Sequence, residues 1–107
     1  MQVGTTLMGK QFKYEGSLAT GLKLHFDTSV LWIKPETIQV IREQIDHRSP
    51  VLMGASRSPL VRNSVGETLA LEYGVSPQVM SYVLPLLVEE GFCSVSRRRP
   101  FEIRRIR

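Results

Sequence analysis

A chain of 107 residues with 42% apolar and 22% charged side chains has the size and composition of one small folded domain rather than of a disordered segment. No apolar run approaches the ~18 residues of a membrane span, and Met1-Gln2-Val3-Gly4-Thr5-Thr6 lacks the basic start and apolar stretch of a signal peptide, so a cytoplasmic protein is expected. The net charge of +4 is uneven, with +2 in residues 1–34, −1 in residues 35–75 and +3 in residues 76–107, where all six basic groups are arginines at or after Arg97; that is the footprint of a polyanion partner as well as of a solvated surface.

Residues 1–9 are small, polar and without periodicity, and read as a loose end. Polar and apolar residues then alternate from Gln11 to Tyr14 and from Leu22 to Phe26, with Gly16 to Gly21 between them, which is a β-hairpin pattern. A third apolar run, Val30 to Ile33, contains Trp32 and stops at Lys34-Pro35. Pro35 suits the first turn of a helix, Glu36 suits its dipole, and Ile38, Ile41 and Ile45 recur on one face, so a first helix is predicted from Pro35 to about His47. Arg42 with Asp46 and Glu43 with His47 have the spacing of ion pairs on its wet side.

The stretch from Arg48 to Asn63 holds Pro50, Gly54 and Pro59 around Val51-Leu52-Met53, and either contains a short strand or is a functional loop. Ser64-Val65-Gly66-Glu67 fits a capping box for a second helix that runs to Tyr73 and ends at Gly74. Ser76-Pro77 starts a third, continuing to Glu90 and closed by Gly91, with Val79, Met80, Val83, Leu84, Leu87 and Val88 inward and a kink expected at Pro85. Phe92 to Ser96 and Phe101 to Ile106 read as two strands around Arg97-Arg98-Arg99-Pro100.

Two helices joined by Gly74-Val75-Ser76 and followed by an arginine-tipped hairpin resemble the winged helix-turn-helix superfamily of DNA-binding regulators, over about Ile38 to Ile106. The residues that carry the resemblance are a small Ala70 where the helices cross, Gly74 at the turn, Val75 plugging the core, and Met80 and Val83 on the inner face of the second helix of the pair. The resemblance implies an α+β fold, with three helices and a C-terminal β-hairpin wing in residues 35–107, preceded by an N-terminal tail and β-hairpin extension in residues 1–34. It also implies a small transcriptional regulator that binds double-stranded DNA.

In DNA-binding members the outer face of the second helix lies in the major groove. Carried onto this chain, the outward positions are Ser76, Pro77, Gln78, Ser81, Tyr82 and Pro85. Gln78 would grip an adenine edge, Ser81 and Tyr82 would reach bases or phosphates, and Ser64 with Glu67 would hold the helix pair. Nothing from Ser76 to Ser96 is lysine or arginine, a departure from the usual pattern. Arg97, Arg98 and Arg99 are the candidate phosphate clamp, and Arg57 and Arg62 candidate further contacts.

The rival reading is a winged helix used for protein contact, docking through Phe12, Tyr14, Leu24, Phe26 and Trp32. Half-site pairing on a duplex predicts a homodimer built on the N-terminal β-structure; RNA stands beside DNA as a possible polyanion. Ser56-Arg57-Ser58-Pro59 has the form of a phosphorylation site. With a single cysteine and two isolated histidines there is no disulfide and no metal spacing, and no cofactor is expected. No phosphate loop, carboxylate pair beside a histidine, or nucleophile motif is present, so no enzyme is expected. Cys93 reads as a core filler, and His25 as a half-buried strand residue.

Overall fold

The alternation that marks the N-terminal strands also decides which way they face. In the computed structural model, which describes residues 1–106, strands β1 (Gln2–Thr5), β2 (Gln11–Ser17), β3 (Gly21–His25) and β4 (Val30–Ile33) form an antiparallel meander in chain order. Phe12, Tyr14, Leu22, Leu24 and Ile33 share one face and are buried, while Lys13, Glu15, Lys23 and Trp32 share the other. The register sets Tyr14 opposite Leu24 and Leu22 opposite Ile33, so inward side chains meet across the strands. On the outer face His25 Nε2 lies 2.7 Å from Glu15 Oε2, and that hydrogen bond holds the Glu15 carboxyl below its ordinary range.

β1 corrects the expectation of a loose N-terminus. Its inward residue is Gly4, opposite Phe12, and a Cβ there would lie 2.3 Å from the Phe12 ring. The strand therefore carries no apolar side chain of its own on the core side; the neighbouring strand's ring lies over it.

The remaining elements are α1 (Pro35–Arg48), β5 (Val51–Leu52), α2 (Val65–Tyr73), a 3-10 turn (Pro77–Val79) that runs into α3 (Met80–Glu90), β6 (Cys93–Val95) and β7 (Glu102–Arg105). β5, β7 and β6 form a second antiparallel sheet in that order. Among the described residues the fold is thus α+β, with three α-helices and two antiparallel sheets, and the stretch after Arg48 holds a short strand. Among the described residues no helix is long and apolar enough to cross a membrane.

α1 starts at Pro35 and buries Ile38, Ile41 and Ile45 as its spacing predicts. Its expected internal ion pairs give way to longer-range ones. Arg42 Nη1 meets Glu90 Oε2 at 2.9 Å and Arg105 Nε meets Asp46 Oδ1 at 3.3 Å, while Glu43 stays within the helix and accepts from Gln39 Nε2 at 3.3 Å. The polar flank of α1 adjoins the end of α3 and β7, so partners from other elements displace its own. Arg48 Nη1 also leaves the helix, donating to Thr68 Oγ1 of α2 at 2.9 Å.

Ser64 caps α2 by accepting from Glu67 N at 3.0 Å, and the Glu67 carboxylate accepts from Asn63 N at 3.0 Å, one residue before the amide a capping box would use. Gly74 and Gly91 close α2 and α3 at φ of 64° and 87°. Ser76 accepts from Gln78 N at 3.3 Å, but the turn it caps is 3-10 and the α-helix begins at Met80, with Pro85 inside it. Leu86 joins the buried side and Val88 is half-buried.

A close backbone approach locks the middle of the chain. Gly66 N donates to Met53 O at 3.0 Å, a Cβ on Gly66 would lie 1.7 Å from Gly54 O, and a Cβ on Gly54 would lie 2.0 Å from Ser64 Oγ. Ser64 is itself fully buried and donates to Val61 O at 2.6 Å. A single hydrophobic cluster takes Leu24 and Ile33 from the four-stranded sheet, Ile41 from α1, Leu69 from α2, Val83 from α3 and Ile103 from β7.

Two outcomes follow. Gly66→Ala should lose about 2–4 kcal/mol of stability in urea unfolding, because backbone is what the new methyl meets, whereas Ser64→Ala should lose about 1–2 kcal/mol. Burial raises the Cys93 thiol to about 11, so a thiol-specific disulfide reagent at about pH 8 should label it only after denaturant is added. The sign for stability is that of a raised acid: the contribution is present below the exposed-thiol value of ~8.5 and is lost as pH rises through the folded one.

Candidate nucleic-acid interface

The β6–β7 hairpin presents its arginines from a pinned backbone. Ser96 N donates to Glu102 O at 3.0 Å, Ser96 Oγ accepts from Glu102 N at 2.8 Å, and the same hydroxyl donates to Arg98 O at 3.3 Å. Met53 N donates to Phe101 O at 2.9 Å, which anchors the far side of the loop to the segment after β5. Arg97, Arg98 and Arg99 are exposed at the tip, and among the described residues no carboxylate pairs with them.

Their neighbours behave differently. Arg104 pairs with Glu102 at 3.0 Å. Arg105 lies 3.8 Å from the centre of the Phe92 ring, donates to Phe92 O at 2.7 Å and pairs with Asp46. Arg42 lies over the same ring at 5.0 Å. Among the described residues the arginine-rich tail thus divides into Arg104 and Arg105, both paired, with Arg105 fastening the hairpin to α1, and a tip of three cations without a carboxylate partner.

Arg57 and Arg62 are exposed in the connection between β5 and α2, a loop shaped by Ser56 Oγ donating to Pro59 O at 2.8 Å. Gln78 is exposed on the 3-10 turn. Ser81 and Tyr82 are half-buried, because the face of α3 that carries them meets the four-stranded sheet. The Tyr82 ring lies edge-on to Phe12 at 5.2 Å and to Phe26 at 5.7 Å. Pro77, expected to point outward, is buried, and Pro85 is half-buried. Of the five residues expected to form a docking surface, Phe12, Tyr14 and Leu24 belong to the core, while Phe26 and Trp32 remain exposed.

A cavity of about 760 Å³ opens beneath the tip, and Ser81, Tyr82 and Arg99 all line it. Arg57 and Arg62 each follow a lining residue, Ser56 and Val61, while Gln78 stays outside. Sequence reasoning missed Lys10 and Phe101, which also line it. The signal for Lys10 was available, since a lysine one residue before an alternating strand sits at a turn, but with β1 unrecognised there was no turn to place it on.

No family model, no curated protein and no solved structure matches this chain.

Tyr82 of α3 and Gln78 of the 3-10 turn should separate in an unfolding assay. Tyr82→Ala removes the ring that joins α3 to Phe12 and Phe26 and should cost about 1–3 kcal/mol, whereas Gln78→Ala should stay within about 0.5 kcal/mol of the parent.

Proposed function

We propose that the chain is a winged-helix DNA-binding protein, a small transcriptional regulator that holds the duplex chiefly by its phosphates. The order α1-β5-α2-α3-β6-β7, with the second sheet ordered β5-β7-β6, supports the fold reading, as does the turn at Gly74 between the helices. The observation that carries the function is the pinned tip: three adjacent exposed guanidinium groups with no carboxylate partner among the described residues. Such groups repel one another and bury nothing, and a row of phosphate oxygens is the partner that relieves them.

In this reading Arg97, Arg98 and Arg99 lie along the backbone, and Arg57 and Arg62 add phosphate contacts. Only the N-terminal end of the second helix of the pair enters the groove, because the sheet covers Tyr82 and much of the outer face behind it. Gln78 reads a base edge there, Ser81 stands one turn behind, and Tyr82 supports the helix through its ring contacts.

The homodimer belongs to the same reading. Among the described residues β4 pairs only with β3 and leaves its other edge open, with Trp32 67% and Tyr73 51% exposed along one groove that Lys34 and Glu36 also line. Light scattering should give two chains for the parent and one for Trp32→Glu; a monomeric parent removes the dimer. Truncation at Lys34 is no test, since it would strip Leu22, Leu24 and Ile33 from the core.

The DNA reading is tested by anisotropy titration of a labelled duplex at about 50 and 200 mM salt. Replacing Arg97, Arg98 and Arg99 with alanine should weaken every duplex by a similar factor and flatten the log-log salt slope by up to about one unit for each phosphate no longer neutralised. Gln78→Ala should cost about 1–3 kcal/mol at one base position and leave the slope alone. Absence of binding at low salt favours the protein-contact reading, to which the exposed Trp32 and Tyr73 already point.

A further inference from the structure

The cavity beneath the arginine tip has a chemistry that phosphate gripping does not use. Its walls are mostly apolar: Leu7 and Met8 come from the β1–β2 turn, Leu52 and Met53 from β5 and its end, Val61 from the following loop and Phe101 from the wing. Two cations, Lys10 and Arg99, line it, and no aspartate or glutamate does. The hydroxyl-bearing side chains of Ser81 and Tyr82 also line it. Those of Thr6 and Ser56 are already engaged, with Lys10 N at 3.0 Å and Pro59 O at 2.8 Å.

We propose that this cavity binds a small amphipathic anion, an apolar or aromatic body bearing one carboxylate, sulfonate or phosphate group. The apolar walls desolvate the body, Arg99 and Lys10 take the anionic group, and the Ser81 and Tyr82 hydroxyls orient it. The volume of about 760 Å³ falls within the range of small-molecule sites, which combine apolar lining with a few convergent polar groups. Met8 and Met53 suit such a ligand because an unbranched thioether adapts to the body that arrives; Met8 is 65% exposed at the mouth and is left without cover in the free protein. A strand of bases is a poorer fit. Stacking needs open aromatic faces in succession, and Tyr82 is already engaged with Phe12 and Phe26. The site is independent of the DNA reading and stands if the chain binds no nucleic acid.

The test uses the full chain and two fluorescent probes with the same ring body, anilinonaphthalene sulfonate and the uncharged phenylnaphthylamine. The sulfonate should bind saturably, one per chain. The double variant Lys10→Ala, Arg99→Ala should bind it about tenfold or more weakly, as expected when a charge-assisted hydrogen bond is removed, while its affinity for the uncharged probe matches the parent's. Both substituted side chains are exposed, and an unchanged far-ultraviolet spectrum of the variant verifies that it is folded. In amide NMR spectra the sulfonate should shift residues 6–10, 54–56 and Phe101. Non-saturable binding, equal sulfonate affinity in parent and variant, or shifts centred on Trp32 and Tyr73 would each overturn the proposal.

Discussion

The fold hinges on two backbones brought too close for any side chain to pass between them. Gly66 opens α2 against the carbonyl of Gly54, and Gly54 packs under the hydroxyl of Ser64. This contact fixes the start of α2, the exit from β5 and the position of the loop carrying Arg57 and Arg62. Ser64 then satisfies groups that the close approach buries, donating to Val61 O and accepting from Glu67 N. Burial without those bonds would leave a donor and an acceptor unpaired, at about 1–3 kcal/mol each. The hairpin depends on the same region, since its loop is tied to Met53, the residue whose carbonyl receives Gly66.

A second sorting, of charge, follows from the first. The basic groups at the C-terminal end look uniform in one dimension, yet the packing gives the five among the described residues different work. Arg105 settles on Phe92 and Asp46 because β7 runs beside α1, and Arg104 meets Glu102 two residues back on the same strand. Among those five, only the residues lifted off both sheets by the hairpin turn lack a carboxylate partner. Uncompensated positive charge is therefore more concentrated at the tip than net charge suggests, and smaller along the tail as a whole.

What was legible in the sequence was local. Ile38, Ile41 and Ile45 state their helix, Gly74 and Gly91 state where helices stop, and Phe12, Tyr14, Leu22 and Leu24 state which face of a hairpin goes inward. β1 was hidden because its core-facing residue is Gly4, and no pattern of side chains records a ring arriving from the next strand. Tyr82 was misjudged for a related reason: helical period assigns it outward correctly, but whether water or a sheet lies outside is decided by residues some 70 positions earlier, Phe12 among them. The ion partners of Arg42 and Asp46 were likewise set by elements distant in sequence. Of the candidate site, the arginine tip was visible as composition, whereas the cavity that joins Arg99 to Lys10 and Tyr82 exists only after three separate loops meet.

Ser96 has a thermodynamic effect at the tip it holds. Its hydroxyl and amide close the hairpin across Glu102 and reach into the arginine run at Arg98, so the three charged residues stand on a backbone already ordered in the free chain. A flexible basic arm gives up main-chain entropy each time it docks, about 1–2 kcal/mol per residue fixed. Here that loss occurs once, during folding, and only the outer torsions of the guanidinium stems remain to be frozen on contact. Any association at this surface would consequently be preorganised, favouring ligands whose anionic groups match the fixed spacing of the stalk over those that would require the arm to wrap around them.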